Sequence, residues 1–176
     1  MMEHKAFLFE YIHFERELQS ILAQALSSGD CSELVYFINE NLQELRDPYD
    51  GNPLDANWSS LIDTPDVHQY GDFALTKYYD PRFDIGLGSD WEDTQQQIAE
   101  VSNLTSCPIL GYTIGPKEVP FDPGKMGAYF QSLQQVQDNH ASLLKASRKS
   151  PHPRLEKAIE LLAKAVNKQL GLFITF

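Results

Sequence analysis

The sequence predicts an α+β fold, with five helices packed on a small, mostly antiparallel sheet of about four strands. Three observations favour this class. Apolar residues recur with helical period in long segments towards both ends of the chain, runs of β-forming residues lie in the middle and at the end, and the helices occur in groups. The predicted order is ααββαβααβ. Because the 176 residues show no repeat and no linker, we expect a single globular domain over residues 1–176.

The first two predicted helices occupy residues 3–27 and 31–46. Both carry an apolar stripe at i, i+3 and i+4 spacing, Gly29 ends the first helix, and Asp30 caps the second. The stretch 47–72 that follows is rich in Asp, Pro and Asn. It predicts a long irregular loop, and such loops are often functional in compact domains.

A β-hairpin is predicted over residues 73–88. Its first strand is rich in β-forming residues, a turn follows at residues 80–82, and apolar and polar residues then alternate. Ser89 and Glu92 have the spacing of a capping box, so a third helix is expected over residues 90–102.

The last part of the chain predicts a strand, two helices and a closing strand. Residues 109–114 are an apolar run between prolines, and an Asp-Pro pair favours the start of a fourth helix over residues 122–147. A fifth helix follows Pro153 and is expected to end at Gly171. Residues 172–176 read as a strand, which should pair within the sheet because an exposed apolar tail promotes aggregation.

Composition and the amino-terminal sequence favour a cytoplasmic protein. No apolar run is long enough to span a bilayer, and Glu10 and His13 interrupt the first apolar segment, so neither a membrane span nor a secretory signal is expected. Cys31 and Cys107 belong to no redox or metal-binding motif. We expect both to be buried free thiols.

The distribution of charge carries the most information about function. Residues 1–122 contain 22 acidic and 6 basic residues, whereas residues 123–176 contain 3 acidic and 8 basic ones. Residues 30–100 alone carry 16 acidic residues against 3 basic ones. Phosphates are repelled by such a field, so nucleic acid is not an expected ligand and a basic protein is the expected partner. The plain alternative is an acidic surface that serves solubility alone.

We expect a non-enzymatic interaction protein that binds its basic partner through residues 47–93. Aromatic residues lie among the acids of this stretch, and aromatic anchors inside a charged rim are typical of tight interfaces. The most economical version is an inhibitor or immunity-type protein, because the cationic cleft of a toxin or nuclease can accept carboxylates. The residues expected at the interface are Asp50, Trp58, Asp66, Asp80, Asp84, Asp90, Trp91 and Asp93.

The alternative function is an enzyme or a small-molecule- or metal-binding protein, with a site between the loop 47–72 and the hairpin 73–88. His68 would serve there as a general base, with Asp66 and Asp72 as its acid neighbours. No nucleophile motif accompanies these residues.

Neither a cofactor nor a metal ion is expected in the leading interpretation. The acidic residues nearest to a cation-binding pattern do not have EF-hand spacing; they are Asp80, Asp84, Asp90, Glu92 and Asp93. Two further possibilities stay open at this point. The acidic and basic regions could pair between two copies in a homodimer, and the chain could be a structural subunit of a larger assembly.

Overall fold

The computed structural model describes residues 2–104 and 106–176 and shows an α+β fold. Among those residues it has seven α-helices and one three-stranded sheet. The chain forms two compact units. Unit 1 combines Met1–Tyr11, Asp84–Tyr112 and Tyr129–Phe176, and unit 2 combines Ile12–Phe83 and Thr113–Ala128. The expectation of a single domain stays a prediction.

The elements have the following bounds. The helices are α1 Tyr11–Glu17, α2 Gln19–Ser28, α3 Ser32–Glu40, α4 Val67–Leu75, α5 Trp91–Val101, α6 Leu133–Lys149 and α7 Pro153–Lys168. The strands are β1 Lys5–Phe9, β2 Ala128–Gln131 and β3 Gly171–Thr175. None of these helices is long and apolar enough to cross a membrane, in the part of the chain that the structure describes.

Unit 1 is built on the sheet, whose strand order is β1-β3-β2. Strands β1 and β3 pair antiparallel, with Phe7 opposite Phe173. The ring of Phe173 lies 6.1 Å from that of Phe9 and 5.0 Å from that of Phe130, measured between centroids. Helices α6 and α7 pack against β3 and against each other, and α5 packs against α7. Burial of these apolar faces is the main stabilising contribution to this unit.

Short irregular segments cover both outer edges of the sheet in unit 1. Along β1, the backbone N–H of Ile85 donates to the carbonyl of Ala6 at 2.8 Å, and His4 and Gly88 exchange two backbone hydrogen bonds. Along β2, Tyr112 and Phe130 exchange another pair at 2.8 and 2.9 Å. Covered edges do not template pairing with another chain.

Unit 2 is mainly helical and contains long irregular connections. Helices α2, α3 and α4 pack against one another. Because residue 71 is a glycine, the side chains of Phe121 and Leu22 can lie close to the backbone of α4. A Cβ atom at this position would lie 2.8 Å from the ring of Phe121 and 2.9 Å from Leu22. The stretch between α3 and α4 has only two short 3-10 turns, Leu42–Glu44 and Trp58–Leu61.

The predicted element order is wrong at the amino terminus. Residues 5–9 form strand β1, not the first turns of a helix over 3–27, and α1 and α2 follow it. A five-residue apolar run fits a buried strand as well as a helical turn, so its period cannot distinguish the two. Pairing with β3, which is distant in sequence, decides the conformation.

The predicted hairpin 73–88 is also wrong. Residues 73–75 are the last turn of α4, which begins after Asp66, and residues 84–88 make only isolated backbone contacts with the edge of β1. Phe73, Ala74 and Leu75 are all buried. Tertiary burial within unit 2 therefore overrides their β propensity.

The elements predicted within residues 109–128 are wrong as well. The predicted strand 109–114 is reduced to one isolated bridge, between Tyr112 and Phe130. A helix cannot start at residue 122, because Lys125 and Gly127 have φ angles of 59° and 110°. Strand β2 follows instead, and a capping box of Ser132 and Gln135 starts α6.

The remaining predicted elements agree with the structure in type. The apolar periodicity and the turn residues correctly predict the positions of helices α3, α5 and α7 and of strand β3. The start of α5 differs in detail, because Asp90 is its N-cap residue and no side chain caps it. Helix α7 ends at Gln169 in the left-handed region, and Gly171 already belongs to β3.

Candidate functional site

The acidic charge of the chain is carried mainly by unit 2. Unit 2 contains 15 acidic and 6 basic residues, a formal charge of −9. Unit 1 contains 10 acidic and 8 basic residues, a formal charge of −2, and the two values make up the −11 of the whole chain. The asymmetry seen along the sequence is therefore an asymmetry between two structural units.

Four of the residues expected at a partner interface lie in unit 1, where each makes contacts within that unit. Asp90 pairs with Lys157, and Asp93 pairs with Arg154 at 2.8 Å. The remaining two, Asp84 and Trp91, bind the backbone of the amino-terminal segment. The Asp84 carboxylate accepts backbone N–H groups of Ala6 and Gly86 at 3.0 and 2.8 Å, and the Trp91 indole donates to the Met2 carbonyl at 3.2 Å.

The other four expected residues lie in unit 2. Asp50 is exposed, and Asp66 caps α4 by accepting the backbone N–H of Gln69 at 2.8 Å. Asp80 pairs with Arg82, and the hydrogen bond from this guanidinium lowers the pKa of Asp80 to about 2. Trp58 is only 4% exposed, because its ring is packed inside the unit.

Unit 2 contains an open pocket of about 520 Å³, here called the unit 2 pocket. One wall is the stretch 63–69, which includes the start of α4, and the other is the stretch 118–125. The lining residues are Tyr49, Asp63, Thr64, Asp66, His68, Gln69, Glu118, Val119, Pro120, Asp122, Pro123 and Lys125. Four carboxylates thus share the pocket with one lysine.

The alternative site predicted between loop 47–72 and hairpin 73–88 stays a prediction, and the unit 2 pocket borders only the first of these two segments. None of the lining residues comes from 73–88, and the second wall is the stretch 118–125 instead. Of the predicted acid–base residues, Asp66 and His68 line the pocket and Asp72 does not.

The ring of His68 is oriented by the opposite wall of the pocket. Its Nδ1 accepts the backbone N–H of Asp122 at 3.1 Å, and its ring stacks on Phe121 at 6.2 Å between centroids. In the neutral ring the proton is therefore on Nε2, which makes His68 a hydrogen-bond donor at that atom. The predicted role of His68 as a general base with acid neighbours stays a prediction, and its Nδ1 is bonded to a backbone N–H and not to a carboxylate.

Asp72 belongs to a buried acidic cluster next to the pocket. Asp72 and Asp47 are both only 8% exposed. The pKa of Asp72 is raised to about 7, mainly by burial and in addition by the charge of Asp47. Burial also raises the pKa of the neighbouring Tyr79 hydroxyl well above its ordinary value.

Tyr49 connects this buried cluster with the pocket. Its backbone N–H donates to Asp47 at 2.8 Å, and its ring lines the pocket while 69% exposed. The side chain of Gln69, which also lines the pocket, is fixed by a hydrogen bond. Its side-chain oxygen accepts the backbone N–H of Thr64 at 2.6 Å.

Sequence reasoning missed most residues of this region. Among them are Asp47, Tyr49, Asp63, Glu118, Asp122 and Lys125. The last three lie about 50 positions after His68, and only the fold brings the two stretches together. The single sequence signal was the run 115–123, which contains three prolines and fits neither helix nor strand.

Across the described ranges, no group of three or more His, Cys, Asp or Glu side chains is arranged to hold a metal ion. Comparisons with family models, with curated proteins and with solved structures find no match to this chain.

Proposed function

We propose that this chain is an acidic interaction protein whose unit 2 binds a basic protein, in the manner of an inhibitor or immunity-type protein that covers a cationic cleft. The observation that carries the proposal is the difference in charge between the two units, −9 on unit 2 against −2 on unit 1. A unit with a large net charge attracts a partner of the opposite sign and raises the rate of association.

The ion pairs within unit 2 support this proposal because they leave most of its carboxylates unneutralised. Among the described residues of unit 2, the carboxylates in ion pairs are Glu17, Glu44 and Asp80. Asp63 and Glu118 are exposed at the pocket and are not among them. Carboxylates without a cation of their own can pair with cations of a partner.

Apolar surface beside these carboxylates adds a second contribution. Tyr49 and Val119 line the same pocket and are both exposed. Burial of such side chains by a partner slows dissociation, whereas the surrounding charges accelerate association. The pocket therefore has the composition of an interface centre with a charged rim.

The test is capture of the partner with two matched charge variants. The tagged protein is incubated with lysate of its source at low salt, and retained proteins are identified by mass. The pocket variant is Asp63→Asn with Glu118→Gln, and the control is Glu92→Gln with Glu160→Gln in unit 1. Each variant removes two exposed carboxylates and leaves the same net charge.

We expect a stoichiometric basic protein on the wild type and on the control, released by high salt, and its loss or strong reduction on the pocket variant. Equal retention by both variants, or equal loss from both, would contradict binding through unit 2.

A second candidate function is binding of a small molecule in the same pocket. The observation in its favour is that Asp66 and His68 line one pocket, whose volume lies within the usual range for ligand sites. A thermal-shift screen of small cationic and zwitterionic compounds tests it. Stabilisation by a compound that is lost in the His68→Phe variant supports this function, and stabilisation that persists there places the compound elsewhere.

A further inference from the structure

We propose that unit 1 carries a second docking site, opposite in charge to the unit 2 pocket, that binds an extended acidic peptide segment of a partner protein. In this segment an apolar residue lies between two acidic ones. The inference is independent of the proposed function, because all residues of this site lie in unit 1. It depends on three observations, namely a groove at the ends of α5 and α6, two lysines on one wall of this groove, and apolar side chains on the other wall and at its base.

The first observation is a small groove where α5 and α6 both end, here called the unit 1 groove. It has a volume of about 290 Å³, and its walls are the segments 101–104 and 142–149. The lining residues are Val101, Ser102, Asn103, Leu104, Ser142, Lys145, Ala146 and Lys149. Sites for drug-sized ligands are usually larger than this groove. It has room for the side chains of a short peptide segment.

The second observation is that the α6 wall carries two lysines without a counter-charge. Lys145 and Lys149 are exposed and lie one helical turn apart. In the part of the chain that the structure describes, neither forms an ion pair, whereas Arg154 and Lys157 of α7 each pair with an aspartate. The acid next in sequence to the other wall, Glu100, does not line the groove. The two ammonium groups are therefore available to carboxylates of a partner.

The third observation is that the other wall and the base of the groove are apolar. Lysines in the last turn of a helix also stabilise the helix dipole, so their charge alone does not indicate a ligand. Val101 is half-buried and Leu104 is 37% exposed on the wall opposite the lysines, and Ala146 lies buried between them in sequence. An apolar side chain placed here would gain free energy by burial against this wall.

The two walls together determine the pattern of the peptide. In an extended chain, successive side chains point to opposite sides, and alternate ones lie about 6.6 Å apart. Residues four positions apart on a helix have Cβ atoms about 5–6 Å apart, which is the spacing of Lys145 and Lys149. Two acidic side chains can therefore face the lysines while the residue between them faces Leu104. The pattern acid–apolar–acid follows.

A peptide fits this groove better than a small free anion such as phosphate does. Helix α5 ends at Val101 and α6 at Lys149, and the last carbonyl groups of a helix carry partial negative charge. These carbonyls oppose a multivalent anion, whereas a peptide brings N–H donors together with its carboxylates. At physiological salt, exposed charges more than about 8 Å away are largely screened, so the net charge of −11 does not prevent binding at the two lysines.

The experiment is an NMR chemical-shift titration of the full chain with the capped peptide Gly-Glu-Leu-Glu-Gly at physiological salt. We expect saturable shifts of backbone amides in 101–104 and 142–149. The test variant is Lys145→Gln with Lys149→Gln. The matched control is Lys164→Gln with Lys168→Gln, which are exposed lysines with the same spacing on α7.

The affinity for the peptide should fall about fivefold in the test variant, because each exposed ion pair contributes about twofold to threefold. It should stay within about twofold in the control. The peptide Gly-Glu-Gly-Glu-Gly, which has the same charge, should bind the wild type about threefold more weakly because it lacks the apolar side chain.

Four results would overturn the inference. They are the absence of saturable shifts at the groove, an equal loss of affinity in both variants, equal binding of the two peptides, and inorganic phosphate that moves the same amides with the affinity of the peptide. Broadening of these amides with rising protein concentration, without peptide, would mean that a second copy covers the groove and would overturn a separate partner. None of these results affects the proposed function, because no residue of unit 2 takes part.

Discussion

The two units of this protein treat their acidic side chains in opposite ways. In unit 1, Asp90 and Asp93 are paired with cations of α7, and Asp84 accepts backbone N–H groups. In unit 2, two carboxyl groups are buried together, and most exposed ones have no cation of their own. Compensated charge serves the internal structure of a unit, whereas uncompensated charge is available to a partner.

The same difference extends to regular structure. Unit 1 contains the sheet and the longest helices, which share a continuous apolar core. Unit 2 has shorter helices joined by long connections, and its pocket lies where two of these connections meet. Binding residues are commonly carried by loops on a regular framework, so the irregular unit is the better candidate for function.

The largest expected effect comes from removing a buried ring from the sheet of unit 1. Phe173 is buried and its ring packs against three other phenylalanines of the sheet. The Phe173→Ala change should lower the free energy of unfolding by about 3–5 kcal/mol, measured by urea denaturation. The matched control in unit 2 is Phe83→Ala, where the exposed ring should cost less than about 1 kcal/mol. A similar loss of unfolding free energy in both variants would contradict the burial of Phe173 and the exposure of Phe83.

The next effect is a dependence of stability on pH that originates in unit 2. The pKa of Asp72 is raised from 3.8 to about 7 in the folded protein, so the folded state binds more protons than the unfolded state between these values. The free energy of unfolding should therefore fall as the pH rises from about 4 to about 7, by up to about 4 kcal/mol. The Asp72→Asn variant should lack this fall, and urea denaturation at several pH values measures it. A wild type and variant with parallel pH profiles would be inconsistent with a buried ionisable Asp72.

Unit 1 should respond to pH in the opposite sense. His4 is buried, with Nε2 bonded to the carbonyl of Ile109 at 2.7 Å and Nδ1 accepting the N–H of Leu87 at 3.2 Å. Burial lowers its pKa below the ordinary 6.5, so the unfolded state binds the proton first and stability falls as the pH drops below about 6.5. Hydrogen exchange of β1 amides, corrected for intrinsic rates, should show protection lost on acidification. Protection of the β1 amides that stays constant down to pH 5 would contradict a destabilising protonation of His4.

The smallest effect is expected at the exposed ion pairs of unit 1. Asp90→Asn or Lys157→Met alone, or the two together, should leave the thermal midpoint almost unchanged, because exposed pairs contribute little to stability. A double-mutant cycle followed by thermal denaturation measures the coupling. A large coupling would mean that this pair is a structural element and not a surface contact.

Local sequence signals predicted only part of the fold. Helix α7 and strand β3 were predicted because a long apolar period and a bounded β-rich run are local properties. The strand conformation of β1 and the helical conformation of residues 73–75 were not predicted. Short apolar runs take the conformation that residues distant in sequence impose on them.

The candidate site follows the same division. Asp66 and His68 were predicted because they lie close together in the irregular stretch, and the structure places both at the pocket. Glu118 and Asp122 carry no local signal, since the close approach of the second wall depends on Gly71 and Phe121. The interface role of Trp58 stays a prediction. Its ring is buried and its indole N–H donates to Asn39, and sequence alone does not distinguish buried from exposed aromatic residues.

We propose unit 2, and not unit 1, as the part of the protein that receives a positively charged partner. The most direct measurement is NMR mapping of backbone amide shifts during titration with a peptide of six arginines, at low salt and again at high salt. We predict shifts concentrated in residues 63–69 and 118–125 that disappear at high salt, because exposed charges are screened. Shifts spread evenly over both units, or concentrated on α5 and α7, would contradict the account.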